Sequence, residues 1–314
     1  MPRRFGVAAP AALGLALAAC WAAARPPSPA PHRLSHGRET MPQLETAPTT
    51  AYVGPRSCAA AGCHNGNDLA RPAGSEYSLW SARDPHAGAF AVLGGDLSHK
   101  IMKAHRGGGD ARKDRDCLAC HSLTAAPGVA APPDDLLADG VSCEACHGPA
   151  AAWLDEHYTE SWRGRSTEEA EQRGFFPARD LARRTALCAG CHVGRPGVEV
   201  GHDLIAAGHP RLAFEYTAYH DLLPRHWERE KLPRVAGQKD DAEYGRDFLA
   251  RAWEIGQVTA ARQEKDLVAS RKSPVRDFAD LDCFACHHDL REPSWRQERP
   301  AGGKLGLAAP SDWY

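Results

Sequence analysis

Apolar residues recur at helical spacing in several parts of the chain, and the longest such stripe lies towards the C-terminus. Tyr244, Phe248, Ala252 and Ile255 follow one another at intervals of three or four residues. This period places them on one face of a helix, which we predict over about 241–269.

Shorter helices are predicted where a capping residue or a helix-starting proline precedes apolar positions. These are 84–94, 97–106, a helix that starts at Pro149, and a helix that leads from Asp180 into Cys188. No run of residues shows the strict alternation of a strand. We therefore expect a mostly α fold of helices and long loops, with little or no sheet.

The first 24 residues are typical of an export signal. Arg3 and Arg4 precede an apolar, alanine-rich run that is too short for a good membrane span. Residues 17–20 resemble the cleavage site of a lipoprotein, which makes Cys20 a candidate for lipidation. The alternative is ordinary cleavage after the small residues 22–24.

Domain boundaries follow from composition. Residues 25–50 are rich in proline and predict a flexible tether, 51–295 carry every paired cysteine, and 296–314 read as a surface tail. The formal charge of −2 gives no sign of a nucleic-acid partner. Only 7% of the residues are aromatic, so a bound group is needed to fill a core of ordinary size.

Ten cysteines fall into five pairs, and a histidine follows each pair directly. Two thiols can bind the two vinyl groups of a haem while the next histidine binds the iron, so C-x-x-C-H predicts covalent haem c. The predicted attachment residues are Cys58, Cys63, Cys117, Cys120, Cys143, Cys146, Cys188, Cys191, Cys283 and Cys286. The predicted proximal ligands are His64, His121, His147, His192 and His287. Four residues separate the first pair and two separate each of the others.

Zinc sites and disulfides are the alternatives for these cysteines. Zinc uses such pairs two at a time and needs no histidine at a fixed next position. Disulfides need no histidine at all, although an exported protein is the place to find them. The spacing therefore favours five haems over either alternative.

The second axial ligand of each iron must come from elsewhere in the chain. With only three methionines, two of them in the first 41 residues, we expect histidine on both faces of the irons. The candidates that we place first are His86, His157, His209, His202 and His99, and those that we place second are His105, His220, His226 and His288.

Three segments resemble the cytochrome c-554 family of nitrifying bacteria. They are 52–64, the stretch from Trp80 to Ala87, and the run G-V-S-C-E-A-C-H-G-P-A at 140–150. The resemblance covers roughly residues 52–192. It implies a helical tetrahaem fold that carries electrons.

The resemblance also implies ligand pairs. His86 would pair with His147, and His157 would pair with His64, while the iron at His121 would have an open position. The chain departs from the family in its fifth motif, at Cys283, so the fold transfers better than the redox partner.

We therefore expect an exported pentahaem cytochrome that transfers electrons from haem to haem. It would be periplasmic or held on a membrane by a lipid, with redox proteins of unknown identity as partners. The alternative is an oxidoreductase whose open iron acts on nitrite, hydroxylamine or nitric oxide. A filament-forming cytochrome is a third possibility.

Overall fold

The predicted C-terminal stripe forms the longest helix, α11 (Phe248–Ser270). It packs along α8 (Leu181–His192) and α10 (Tyr216–Leu222). Gly256 allows the close approach, because a Cβ at this position would lie 2.8 Å from the Cβ of Tyr216. These three helices form the main apolar core, whose members are Leu181, Ala189, Val193, Phe214, Tyr216, Phe248, Ala252 and Ala260.

A computed structural model describes residues 51–126, 128–227, 247–271, 277–283 and 286–287. The remaining α-helices within these ranges are α1 (Glu76–Arg83), α2 (Asp96–Arg106), α3 (Arg115–His121), α4 (Asp134–Leu137), α5 (Cys143–His147), α6 (Glu160–Arg163), α7 (Thr167–Glu171) and α9 (His202–Ala206). Short 3₁₀ helices cover Pro55–Cys58, Pro85–Gly88, Ala91–Gly94, Ala111–Lys113 and Phe278–Asp280. The predicted signal peptide with Cys20, the tether, the tail and His288 lie outside the described residues.

The fold is mostly helical, as predicted, and the described residues form no strand beyond one isolated bridge between Arg195 and Val198. They all belong to one compact unit, Thr46–Tyr314. None of the described helices has the length and apolar character that a transmembrane span requires.

Two predicted helices are wrong in detail. Asp84 caps the segment as expected, but the chain forms two separate 3₁₀ turns before Gly94 instead of one α-helix. Pro149 leads into a series of turns, and α6 begins only at Glu160. In those turns the ring of His157 binds the carbonyl of Leu154, a local side-chain bond that competes with helix formation.

The predicted helix at 97–106 is confirmed as α2, and Gly107 ends it with a left-handed φ of 79°. The predicted cap at Asp180 is also confirmed, because its side chain accepts a hydrogen bond of 2.9 Å from the amide of Arg183. α8 therefore runs directly into the fourth cysteine pair, as the sequence indicates.

Candidate haem-binding sites

Four of the five Cys-His motifs line a single cavity of about 2310 Å³. A pocket for one small molecule usually measures about 300–1,000 Å³, so this space is large enough for several bound groups. The residues that line the cavity come from most of the described chain. Apart from the main core, the second cluster of buried apolar residues consists of only Leu93, Met102 and Ala111. The shortage of bulky side chains is thus matched by a large internal space.

Helical turns present the cysteines to the cavity. In α3, α5 and α8 the two cysteines lie at positions i and i+3, on one face, and the histidine ends the helix. In the first motif Cys58 ends a 3₁₀ helix and Cys63 closes a turn, with its amide 2.9 Å from the carbonyl of Ala60. This turn accommodates the wider cysteine spacing. None of the ten motif cysteines forms a disulfide bond.

Each motif histidine faces a second histidine from a distant part of the chain. We number the sites by motif and give the distance between ring centres: site 1, His64 and His157, 6.0 Å; site 2, His121 and His209, 6.3 Å; site 3, His147 and His226, 6.3 Å; site 4, His192 and His86, 6.1 Å; site 5, His287 and His202, 6.4 Å.

These distances fit one metal ion between two imidazoles. A metal–imidazole nitrogen bond is about 2.0 Å long, and a ring with bonds of about 1.35 Å has its atoms about 1.15 Å from its centre. Two imidazoles on opposite sides of one ion therefore have centres about 6.3 Å apart. The five pairs lie within 0.3 Å of this value.

Backbone carbonyls fix several of these rings through Nδ1. The bonds are 2.9 Å from His121 to Ala89, 2.5 Å from His157 to Leu154, 2.7 Å from His209 to Pro210, and 3.3 Å from His226 to Pro224. A ring that donates from Nδ1 keeps the Nε2 lone pair free for a metal.

Carboxylates take the same role at two rings. Nδ1 of His64 lies 2.9 Å from Glu76, and Nδ1 of His86 lies 2.9 Å from Asp84. These hydrogen bonds raise the pKa of both histidines. Burial would raise the pKa of each carboxyl group, but the histidine bond, the backbone amide bonds and the nearby positive charge together outweigh it, so the pKa is lowered.

Burial favours the neutral, metal-binding form of other motif histidines. It lowers the pKa of His147 and of His192 to about 4 in each case. Burial also lowers the pKa of His209 and His226. At neutral pH these four imidazoles are therefore uncharged ligands.

Segments of different motifs lie beside each other along the cavity. Glu144, between the cysteines of motif 3, accepts a 2.7 Å hydrogen bond from the amide of Gly54, which precedes the 3₁₀ helix that ends at Cys58. The sulfur of Cys191 in motif 4 lies 3.9 Å from the carbonyl oxygen of Ala119, between the cysteines of motif 2. The sites are thus arranged as two neighbouring pairs.

Site 5 is set apart from the others. Its cysteines and His287 are exposed and do not line the cavity. Phe278 packs edge-on against the ring of His202, and a guanidinium nitrogen of Arg211 lies 3.2 Å from the sulfur of Cys283. The fifth motif therefore forms a peripheral site beside α9.

The structure brings together four of the five second ligands that we placed first, but not His99. That residue is exposed, whereas Ile101 and Met102 of the same helix are buried. His226, one of the candidates that we placed second, faces His147 instead. It lies in an irregular segment beside Trp227, where helical periodicity gives no signal.

The ligand pairs implied by the resemblance are half right in the structure. His157 faces His64 as implied, but His86 faces His192 instead of His147. Asp84 holds His86 by both its amide and its ring, which directs the ring towards α8. His209 faces His121, where the resemblance implies an open position.

The zinc alternative gains no support from the geometry. In the described ranges, no three side chains of histidine, cysteine, aspartate or glutamate converge in a way that suits a metal ion on its own. Pairs of histidines with cysteine pairs beside them instead suit a ligand whose iron needs only two protein ligands.

Comparison with known proteins agrees with this chemistry. Residues 57–148 match the family model described as cytochrome c554 and c-prime. Searches of curated proteins and of solved structures each found no match. The match spans the first three motifs and implies haem c and electron transfer. Over residues 57–148 the chain is therefore similar to the cytochrome c554 and c-prime family.

Proposed function

We propose that this chain is an exported pentahaem c-type cytochrome that transfers electrons. The observation that carries the proposal is the set of five histidine pairs, each spaced for one iron and each placed beside a cysteine pair. Haem c bound at such a site supplies a reversible one-electron couple between ferric and ferrous iron.

The ten paired cysteines would hold the haems through thioether bonds, and the two histidines of each site would be the axial ligands. Hydrogen bonds at Nδ1 to other protein groups hold these rings in place without a contribution from a metal. Fixed rings keep the ligand set unchanged when the charge at the site changes, which favours fast electron transfer over ligand exchange.

The protein also determines which sites are neighbours. The bond from Gly54 to Glu144 and the contact of Cys191 with the Ala119 carbonyl bring the attachment points of two motifs together in each case. Groups attached there would lie side by side in the cavity. Arg195 adds to the second contact, because its guanidinium lies 3.4 Å from the Ala119 carbonyl and 3.7 Å from the Cys191 sulfur.

The enzymatic alternative finds no support at site 2. An open iron there would need His209 to be absent, whereas its ring centre lies 6.3 Å from that of His121. We therefore favour the electron carrier over an oxidoreductase of small nitrogen compounds.

Haem counting and spin state test the proposal. Intact mass and a pyridine haemochrome assay should give five haems per chain, and electron paramagnetic resonance should show only low-spin ferric iron. The double variant Cys283→Ser/Cys286→Ser should contain four haems. A lower count in the wild-type protein, or a high-spin signal that shifts on adding nitric oxide with turnover, would contradict the carrier.

The proposal extends to location and partners. A lipid on Cys20 would hold the protein on a membrane surface, where redox proteins would donate and accept electrons. Intact mass of the mature protein distinguishes lipidation at Cys20 from cleavage after residue 24. Loss of membrane association in a Cys20→Ser variant would support the anchor, and an unlipidated mature N-terminus would refute it.

A further inference from the structure

The four sites in the cavity differ in what binds the outer nitrogen of their histidines. Sites 1 and 4 each have one ring held by a carboxylate, whereas the rings that are held in sites 2 and 3 are held by backbone carbonyls. Motif 1 lies beside motif 3, and motif 2 lies beside motif 4, so each neighbouring pair contains one carboxylate-held and one carbonyl-held site.

Both carboxylates are fixed in place by further bonds. Asp84 also accepts a 3.0 Å bond from the amide of His86, and its side chain is only 7% exposed. Glu76 lies in the first turn of α1, and its other oxygen accepts a 3.0 Å bond from the amide of Gly74. Neither side chain can leave its histidine without losing a backbone partner.

A carboxylate changes an axial imidazole more than a carbonyl does. A bond from N–H to a charged acceptor is roughly twice as strong as one to a neutral acceptor. It draws the Nδ1 proton away from the ring, which makes Nε2 a stronger electron donor. A stronger donor stabilises ferric over ferrous iron and therefore lowers the reduction potential.

We propose that Glu76 and Asp84 are positioning residues that lower the reduction potentials at sites 1 and 4 relative to their neighbours, sites 3 and 2. The inference rests on the proposed function and goes beyond it, because it orders the sites. An electron shared within either pair then resides mainly on the carbonyl-held member, with one iron reduced as the other is oxidised.

Two charges, those of Glu144 and Arg195, lie at the contacts between neighbouring sites and so act on both members of a pair. Glu144 is buried beside Cys143 at the contact between sites 1 and 3. Arg195 bridges motifs 2 and 4. The two carboxylates instead each bind one ring of one site.

The test uses the haem-loaded full chain with Glu76→Gln and Asp84→Asn, which keep size and an acceptor oxygen but remove the charge. Potentiometric titrations followed by visible and electron paramagnetic resonance spectra resolve the individual potentials. In each variant, we expect the ferric-to-ferrous ratio of one site, at a fixed applied potential, to fall about tenfold, which corresponds to about 59 mV.

Asp68→Asn is the matched control, because this exposed carboxylate near motif 1 binds Arg71 rather than a histidine. Glu76→Asp keeps the charge but shortens the reach, so it should shift the same site less than Glu76→Gln. It also serves as the second variant if the glutamine protein does not assemble.

The proposal would be overturned if the reduction potentials of the Glu76→Gln and Asp84→Asn proteins equalled those of the Asp68→Asn control. An equal shift at all five sites would also overturn it, since that would show a general charge effect. The failure of the proposed function is distinguishable from both results. In that case the wild-type protein itself would lack five low-spin haems.

Discussion

A buried carboxylate inside the third motif gives the sharpest stability prediction. Glu144 is 3% exposed, and its oxygens accept bonds of 2.7 Å from the amides of Gly54 and Ala150 and of 3.1 Å from Val53. It thereby ties the segment before motif 1 and the segment after motif 3 to α5. Glu144→Ala would leave these amides without their acceptor.

The expected magnitude follows from those amides. Each buried N–H without a partner costs about 1–3 kcal/mol, and those of Gly54 and Ala150 belong to buried residues. We expect Glu144→Ala to lose roughly 2–6 kcal/mol, a large part of the 5–15 kcal/mol typical of a folded protein. The melting temperature of the haem-loaded protein should fall by about 5–20 °C.

Thermal melts followed by far-ultraviolet circular dichroism measure this loss. Glu254→Ala is the control, because Glu254 is exposed in the middle of α11. Glu144→Gln keeps one acceptor oxygen and should fall between the two. If Glu144→Ala melted within about 2 °C of the Glu254→Ala control, the buried carboxylate would not hold the two segments as described.

Three further predictions concern the periphery, the pH dependence and the backbone. Arg271→Ala removes the ion pair to buried Asp280 and should cost about 3–5 kcal/mol in guanidinium titrations relative to Arg262→Ala; an equal cost would refute the role. At Glu215, burial would raise the pKa, but hydrogen bonds from α10 lower it, so its stability contribution is present above about pH 4.3 and lost as pH falls through the folded pKa. The advantage of wild type over Glu215→Gln in urea unfolding should therefore shrink below that pH, and a constant difference would contradict the assignment. Gly148→Ala should lose at least about 2 kcal/mol in the same assay, because φ is 81° and its Cβ would overlap a backbone carbonyl; a neutral effect would refute this.

The sequence predicted the features that depend on neighbouring residues. The cysteine pairs, their histidines and the cap at Asp180 are local patterns, and the structure places them on turns and helix ends as expected. The mostly helical fold follows from the same local periodicity.

The partners across each site could not be predicted in this way. Which histidine reaches which motif depends on how distant segments pack, and an irregular segment such as the one before Trp227 carries no periodic signal for His226. The resemblance supplied His157 but misplaced His86, which faces His192 at the end of α8. Nothing local in the sequence distinguishes these two outcomes.

The histidine pairs also determine whether this chain can be divided. The region that matches the family model, 57–148, contains the motif histidines His64, His121 and His147, but the partners of all three lie beyond it. Its one further paired histidine, His86, has its own partner outside as well. The stretches of sequence between the two histidines of sites 1 to 4 therefore overlap. No cut of the chain between residues 86 and 192 leaves every pair intact. The region that matches the family model consequently cannot be expressed alone with its histidine pairs intact. Each of its sites would keep only one of its two histidines.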